Sequence, residues 1–246
     1  MMKEKTLTSI LAVPLVVAVA SGFFYLNTDK VVSAQNETIA AADKATNSQV
    51  EYIKISVSSS TYSDSSYQIR IRDRKNLSEI TEDYVGGVLQ NKIIVSEEGK
   101  RVTSIGRDHI RGKLVGNTWV LPANLANENK RILNISLMEE QKKEMKNQHW
   151  VKSLRPQSQS NDASLQEVVA EDSLKKETVT IDTNTGLPVK REVFVKDKEG
   201  NWTEDSVRVE EYKYLNSMPM NLQKLNDEVE IKEITAPIKE DKLLKG

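Results

Sequence analysis

The sequence predicts an α+β protein: one curved antiparallel sheet with a helix across its concave side. Three observations carry this expectation. Apolar and polar residues alternate at period two in many short runs, the mark of strands with one face turned inward. Turn-forming Asn, Asp and Gly clusters separate those runs. Between two such sets the period changes once, to 3.6 residues.

The clearest strands lie between Glu177 and Leu215, in the runs Thr178–Asp182, Leu187–Lys196 and Trp202–Leu215. In the middle run Val189, Val193 and Val195 oppose Lys190, Glu192 and Lys196, and in the last Val207 and Val209 oppose Arg208 and Glu210. The separators Asp182–Gly186 and Asp197–Asn201 read as hairpin loops, because Asn and Asp tolerate left-handed angles and Gly reaches them freely. Upstream, Glu51–Ser58, Tyr67–Arg72, the run near Leu77–Tyr84, Val88–Val95, Val102–Gly106 and Gly112–Leu121 form a second meander. Leu133, Leu137, Met138, Gln141 and Met145 make an apolar stripe, which predicts an amphipathic helix over about Ile135–Trp150. Arg155–Asp162 reads as a loop, and Leu165–Lys176 fits strand or helix. One domain is expected over two sandwich-like halves joined at that loop, since each half alone would bury little surface.

The N-terminus places this domain. Lys3 and Lys5 precede Leu7–Leu26, a run without a charged side chain. About 20 apolar residues span a bilayer core, and the positive flank directs the bulk of the chain out of the cytoplasm. Val32-Ser33-Ala34 offers a signal cleavage site before Gln35, so residues 1–34 are a signal peptide or a retained anchor. A linker (35–49), the sheet domain (50–225) and a charged tail (226–246) complete the chain. Either fate of the N-terminus predicts an extracytoplasmic protein.

Composition excludes several functions. Lys and Arg (35) balance Asp and Glu (36), so no field gathers nucleic acid. The absence of cysteine removes disulfides, thiolate metal sites and cysteine nucleophiles. The two histidines, His109 and His149, lack partners for catalysis or metal binding. A surface turn accounts for Arg107-Asp108-His109, and a helix C-terminus for His149. Glu140, Glu144 and His149 are badly spaced for a helical metal triad. Asp197–Asn201 is a hairpin turn rather than a calcium loop, since it lacks the closing bidentate Glu. No nucleophile–base pair is evident, so no enzyme activity and no cofactor are expected. Arg70, Arg72, Arg74 and Lys75 form a basic strand that reads as a solvated outer face or a contact for anionic headgroups.

Two segments together resemble a known family. ETVTIDTNTGLPVKREVF (Glu177–Phe194) is a strand, a D-x-x-T-G-L-P turn and a charged strand; VRVEEYKYLNSMPMNLQKL (Val207–Leu225) is a strand ending in an aromatic pair and a Pro bend. They resemble the C-terminal half of the LolA-like superfamily, which contains bacterial lipoprotein carriers and related envelope-stress regulators. Tyr67–Arg72 with Ser96–Gly106 is similar to that family's earlier strand-turn-strand pattern. The resemblance implies an unclosed half-barrel with covering helices, a cavity that holds acyl chains, and no catalysis. It departs from the carriers in its possible anchor, its Ser-rich insert and its long charged tail, which leaves a sensor or envelope binding protein on the same fold open.

The residues placed to line such a cavity are Ile53, Ile55, Val57, Tyr67, Ile69, Ile71, Val179, Ile181, Val193, Val195, Val207 and Val209; a packed core uses the same residues. The expected function is non-catalytic binding of a lipid, acyl chain or lipoprotein, favoured by about 0.8 kcal/mol per buried CH₂. Membrane contact would run through Leu7–Leu26 if uncleaved. The alternative is a regulatory or protein-interaction module of the envelope, with a packed core and no small ligand.

Overall fold

The computed structural model describes residues 50–60, 64–108, 110–146, 150–152, 164–219 and 229–236. The run Leu7–Leu26, the Ala34 cut, the linker 35–49, His109, His149 and the loop Arg155–Asp162 lie outside them. Among the described residues no helix is long and apolar enough to cross a membrane.

The two meanders are present and form a single unclosed sheet. The first contains β1 (Val50–Ser59), β2 (Ser66–Asp73), β3 (Ser78–Val85), β4 (Val88–Ser96), β5 (Arg101–Asp108) and β6 (Lys113–Val120). The second contains β7 (Val151–Lys152), β8 (Leu165–Glu171), β9 (Lys175–Asp182), β10 (Leu187–Lys196) and β11 (Trp202–Leu215). The segment that fitted strand or helix is therefore β8, a turn and the start of β9. The chain links the halves in the middle of the sheet, where β1 pairs with β2 on one side and β11 on the other. β12 (Glu230–Glu233) adds in parallel to β6, so the sheet continues into residues expected as a charged tail. The strand order is β12-β6-β5-β4-β3-β2-β1-β11-β10-β9-β8-β7, a half-barrel with β12 and β7 at its edges.

Two helices cover one face, here the helix face: α1 (Ala123–Leu133) and α2 (Leu137–Lys146). α2 matches the 3.6-residue stripe but is shorter at both ends, and buries Leu137, Met138, Gln141 and Met145. α1 follows Pro122, where the expected strand ended, and buries only Ala126 and Leu133. It packs tightly on the β4–β5 turn: a Cβ at Gly99 would lie 3.0 Å from Asn129 Cβ, and Gly99 has φ +85°. Only glycine meets both demands.

The core has two sides. On the helix face Ile53, Leu137, Met138, Leu187 and Tyr212 pack together, with Ile55 and Tyr214 against them. Beside this group Met145, Val168 and Val179 are joined by Trp150 and Ile181. On the opposite face Val50, Ile71, Ile80 and Met218 form a separate cluster, with Tyr52, Ile69, Ile94 and Leu215 around it.

Candidate functional site

Paired residues on neighbouring strands share a face, so the register decides which expected cavity residues can meet. Ile53 pairs with Arg70 and Tyr212, whereas Ile71, Ile69 and Tyr67 pair with Tyr52, Lys54 and Ser56. Val209 and Val207 pair with Ser56 and Ser58. Ile53, Ile55 and Val57 therefore lie on the helix face, and Tyr67, Ile69, Ile71, Val207 and Val209 on the opposite one. Val179 and Ile181 join the helix face through Met145. Val193 and Val195 stand beside them, opposite Glu177 and Lys175. The twelve residues thus do not line one cavity. Both apolar sets follow the expected alternation, but alternation leaves open which face of a strand turns inward, and the apolar sets of β1 and β2 lie on opposite faces.

The helix face is charged at its centre. Arg72, 1% exposed, donates from Nε to Glu79 Oε2 (2.6 Å) and from Nη1 to Glu140 Oε1 (2.6 Å) and the carbonyls of Ile132 (3.2 Å) and Ile135 (2.7 Å). Arg70 grips the other Glu79 oxygen at 2.9 Å and approaches Glu140 at 3.6 Å. Burial alone would raise the Glu79 pKa, but Arg70 and Arg72 outweigh it and hold the carboxyl below its usual value. The two guanidinium groups clamp the α1–α2 link to the sheet. This corrects the sequence expectation for Arg72, an interior ion-pair partner rather than part of a solvated face; Arg70 is paired in the same cluster but stays 21% exposed. Arg74 joins the same group, 3.4 Å from Glu51.

Glu51 fixes the start of α2. Its carboxylate, buried on β1, accepts from Ser136 Oγ (2.7 Å) and from the Leu137 amide (2.6 Å). The first amides of a helix lack internal partners, and a carboxylate there also meets the positive end of the helix dipole. Farther along α2, Arg191 bridges Glu177 (2.6 Å) and Glu144 (3.2 Å), and Glu210 accepts from the Tyr212 hydroxyl while Arg208 lies 2.7 Å from it. Between α2 and the sheet Leu137 and Met138 pack against Ile53, Leu187 and Tyr212.

The opposite face is different. Tyr67 and Tyr84 stack with centroids 4.5 Å apart and planes 14° from parallel. Lys54 Nζ lies 5.1 Å from the Tyr67 ring, and Lys213 Nζ 5.8 Å from that of Tyr52. All three tyrosines are partly exposed. Beneath them Glu82 and Lys92 form a buried pair at 2.9 Å, and Tyr84 donates its hydroxyl to Glu82 (2.8 Å). Burial first, then the charge of Glu211, pushes the Tyr52 pKa up to about 12. Burial and the bond to Glu82 raise that of Tyr84, and burial raises that of Tyr67. All three are therefore neutral phenols at physiological pH, offering aromatic faces and hydroxyls rather than nucleophilic oxygens. Val209, Val207 and Ile69 lie on the same face, so together with Tyr67 four of the expected ligand-facing residues share the face away from the helices; Ile71 is buried in the cluster of Val50 and Ile80.

Among the described residues no group of three or more His, Asp or Glu side chains is arranged to hold a metal ion. Asp197, expected in a hairpin turn, accepts there from the Glu199 and Asn201 amides (2.9 Å each). Sequence reasoning missed the tyrosine patch as a unit. Tyr52, Tyr67 and Tyr84 sit on three strands, and only the register brings them together. No protein-family model and no curated protein matches this chain, so the LolA-like resemblance rests on its turn motifs alone.

Proposed function

We propose that this chain is a non-catalytic module of the cell envelope that binds a protein partner through the Tyr52–Tyr67–Tyr84 face. The observation that carries this reading is the contrast between the faces. The helix face, where an acyl chain was expected, holds Arg72, Glu51, Arg191 and Glu210 in buried ion pairs. Laying hydrocarbon against such groups would strip their partners, which is costly. The opposite face carries clustered, partly exposed tyrosines beside lysines, and tyrosine is among the side chains most enriched where protein interfaces concentrate their binding energy. Placement outside the cytoplasm is part of the proposal and draws on Lys3 and Lys5 preceding Leu7–Leu26.

Two measurements on the full chain separate this from the lipid-carrier reading. Native mass spectrometry after gentle extraction should give the mass of the bare chain. A photo-crosslinker at Tyr84 should yield one saturable protein adduct in the envelope, lost in a Tyr67→Ser background. A reproducible lipid-mass adduct released by organic solvent, with no protein adduct, would overturn the proposal.

A further inference from the structure

We infer that the outer edge of β6 is a docking site for an extended segment of a partner protein, and that β12 fills it as an intramolecular stand-in. β12 makes the one parallel pairing among the described strands, Glu230–Glu233 against Val115–Thr118, and so covers half of β6. The Ile234 amide continues the ladder by donating to the Thr118 carbonyl (2.9 Å). Three of the four β12 side chains are exposed, and Ile231 alone is partly buried.

Ile231 sits in a notch that suits it. The register sets it beside Gly116, which pairs in turn with Ile105, a buried residue of β5. A Cβ on Gly116 would lie 3.0 Å from Ile105 Cγ1 and 3.2 Å from both Ile231 Cγ1 and the Ser104 carbonyl oxygen. The missing side chain thus lets one aliphatic group lie close over β6. Two residues on, Glu233 Oε1 stands 3.2 Å from Arg101 Nη1, while Glu97 takes the Nε at 2.7 Å. Charge alone is enough to blunt a sheet edge. A notch and a cation at this spacing add a choice of sequence, aliphatic-x-acidic, on top of the main-chain bonds that any added strand would make.

β12 is held weakly enough to yield. Four residues with one half-buried side chain gain little beyond their main-chain bonds, and the entropy of ordering them offsets most of that gain. The strand therefore opens locally while the antiparallel sheet stays folded. Tethered to the same chain, it competes at high effective concentration. A partner strand overcomes this by length, pairing along all eight residues of β6 where β12 takes four. The β12 of a second copy would bring only the same four, so exchange between copies is not favoured. Two strands separate β6 from Tyr84 on β3, and the site does not depend on the partner proposed for the tyrosine face.

The test is a fluorescence-anisotropy titration of the full chain with the labelled peptide TVTIKEVT, which in the register of β12 runs the length of β6 and sets its isoleucine at Gly116. Ile231→Ser weakens the stand-in, so this variant should bind the peptide roughly tenfold tighter than the unaltered chain. Gly116→Val in that background should abolish binding, and the peptide TVTSKEVT should bind neither chain. TVTIKQVT should bind more weakly than TVTIKEVT, a difference that Arg101→Gln removes; this variant keeps the notch and serves even where Gly116→Val does not fold. Tyr67→Ser should leave the affinity unchanged, which separates the site from the tyrosine face. No binding to Ile231→Ser, equal binding of the serine peptide, or loss of binding in Tyr67→Ser would overturn the inference. A dimer of the unaltered chain that Ile231→Ser dissolves would also overturn it, by assigning the edge to a second copy.

Discussion

The two faces of this sheet come from the same alternating strands, yet they differ in how much of their charge is interior. On the helix face the guanidinium groups and carboxylates are interior: Arg72, Glu51, Glu210 and Arg191 are all buried, and each contacts a group of opposite charge. On the other face one pair, Glu82 and Lys92, is buried, while Lys54 and Lys213 lie over tyrosine rings at the surface, each also near Glu211. A charge in a strand therefore marks a polar face but not a wet one. Which face meets solvent depends on what packs over it, and here α1 and α2 cover the face that holds Arg72, Glu51, Arg191 and Glu210.

The largest effect should come from breaking the interior set. Arg72→Met strips two carbonyls of their side-chain donor and leaves Glu79 and Glu140 with Arg70 alone, and urea unfolding should show a loss of about 3–5 kcal/mol. A near-neutral result would mean that the ion pairs do not clamp the helices. Next comes Glu51→Ala, which strips the cap from the Leu137 amide and should cost about 1–3 kcal/mol, with reduced helical circular dichroism.

Acid tests the same face without mutation. The Glu79 pKa is lowered in the folded chain, so its stabilisation is complete above the unfolded carboxylate value of about 4.3 and is lost as pH falls through the lower folded value. The urea midpoint should therefore drop across that acid window, and more shallowly in Glu79→Gln. On the opposite face Tyr67→Ser should cost only about 1 kcal/mol of stability, the worth of its stacking, while removing the proposed partner adduct. The smallest effect is spectroscopic. Tyr52 is raised in the folded chain, so its contribution is intact below about pH 10 and fades as pH approaches 12. Ultraviolet titration should show a late tyrosine that Tyr52→Phe removes.

Much of the architecture was legible. The strands of both meanders, their Asn-, Asp- and Gly-bearing hairpins and α2 follow from period and turn chemistry. α1 was not, because Ala123–Leu133 buries just two residues and is rich in asparagine, a residue of turns as much as of helices. β12 was not, because four residues of alternating charge with one isoleucine carry no strand signal until β6 is there to pair with them. The site was less legible still. Alternation separates Ile69 and Ile71 from Arg70 and Arg72, but nothing local says that Ile53 faces with the arginines rather than with the isoleucines. That choice is made by pairing register, a property of two strands at once.

The pairing of β1 with β11 has a consequence for how the chain is made. Ser58 bonds to the carbonyl of Val207, 149 residues later. During synthesis the first strand emerges early and can zip to β2 at once, but its other edge stays bare until almost the whole domain has emerged. Contacts of such long range slow folding, and an unpaired edge invites association with other chains meanwhile. The strand at the heart of the finished sheet is thus the one that waits longest for its second neighbour. Folding yield should accordingly depend on holdase chaperones more than the stability of the native state would indicate.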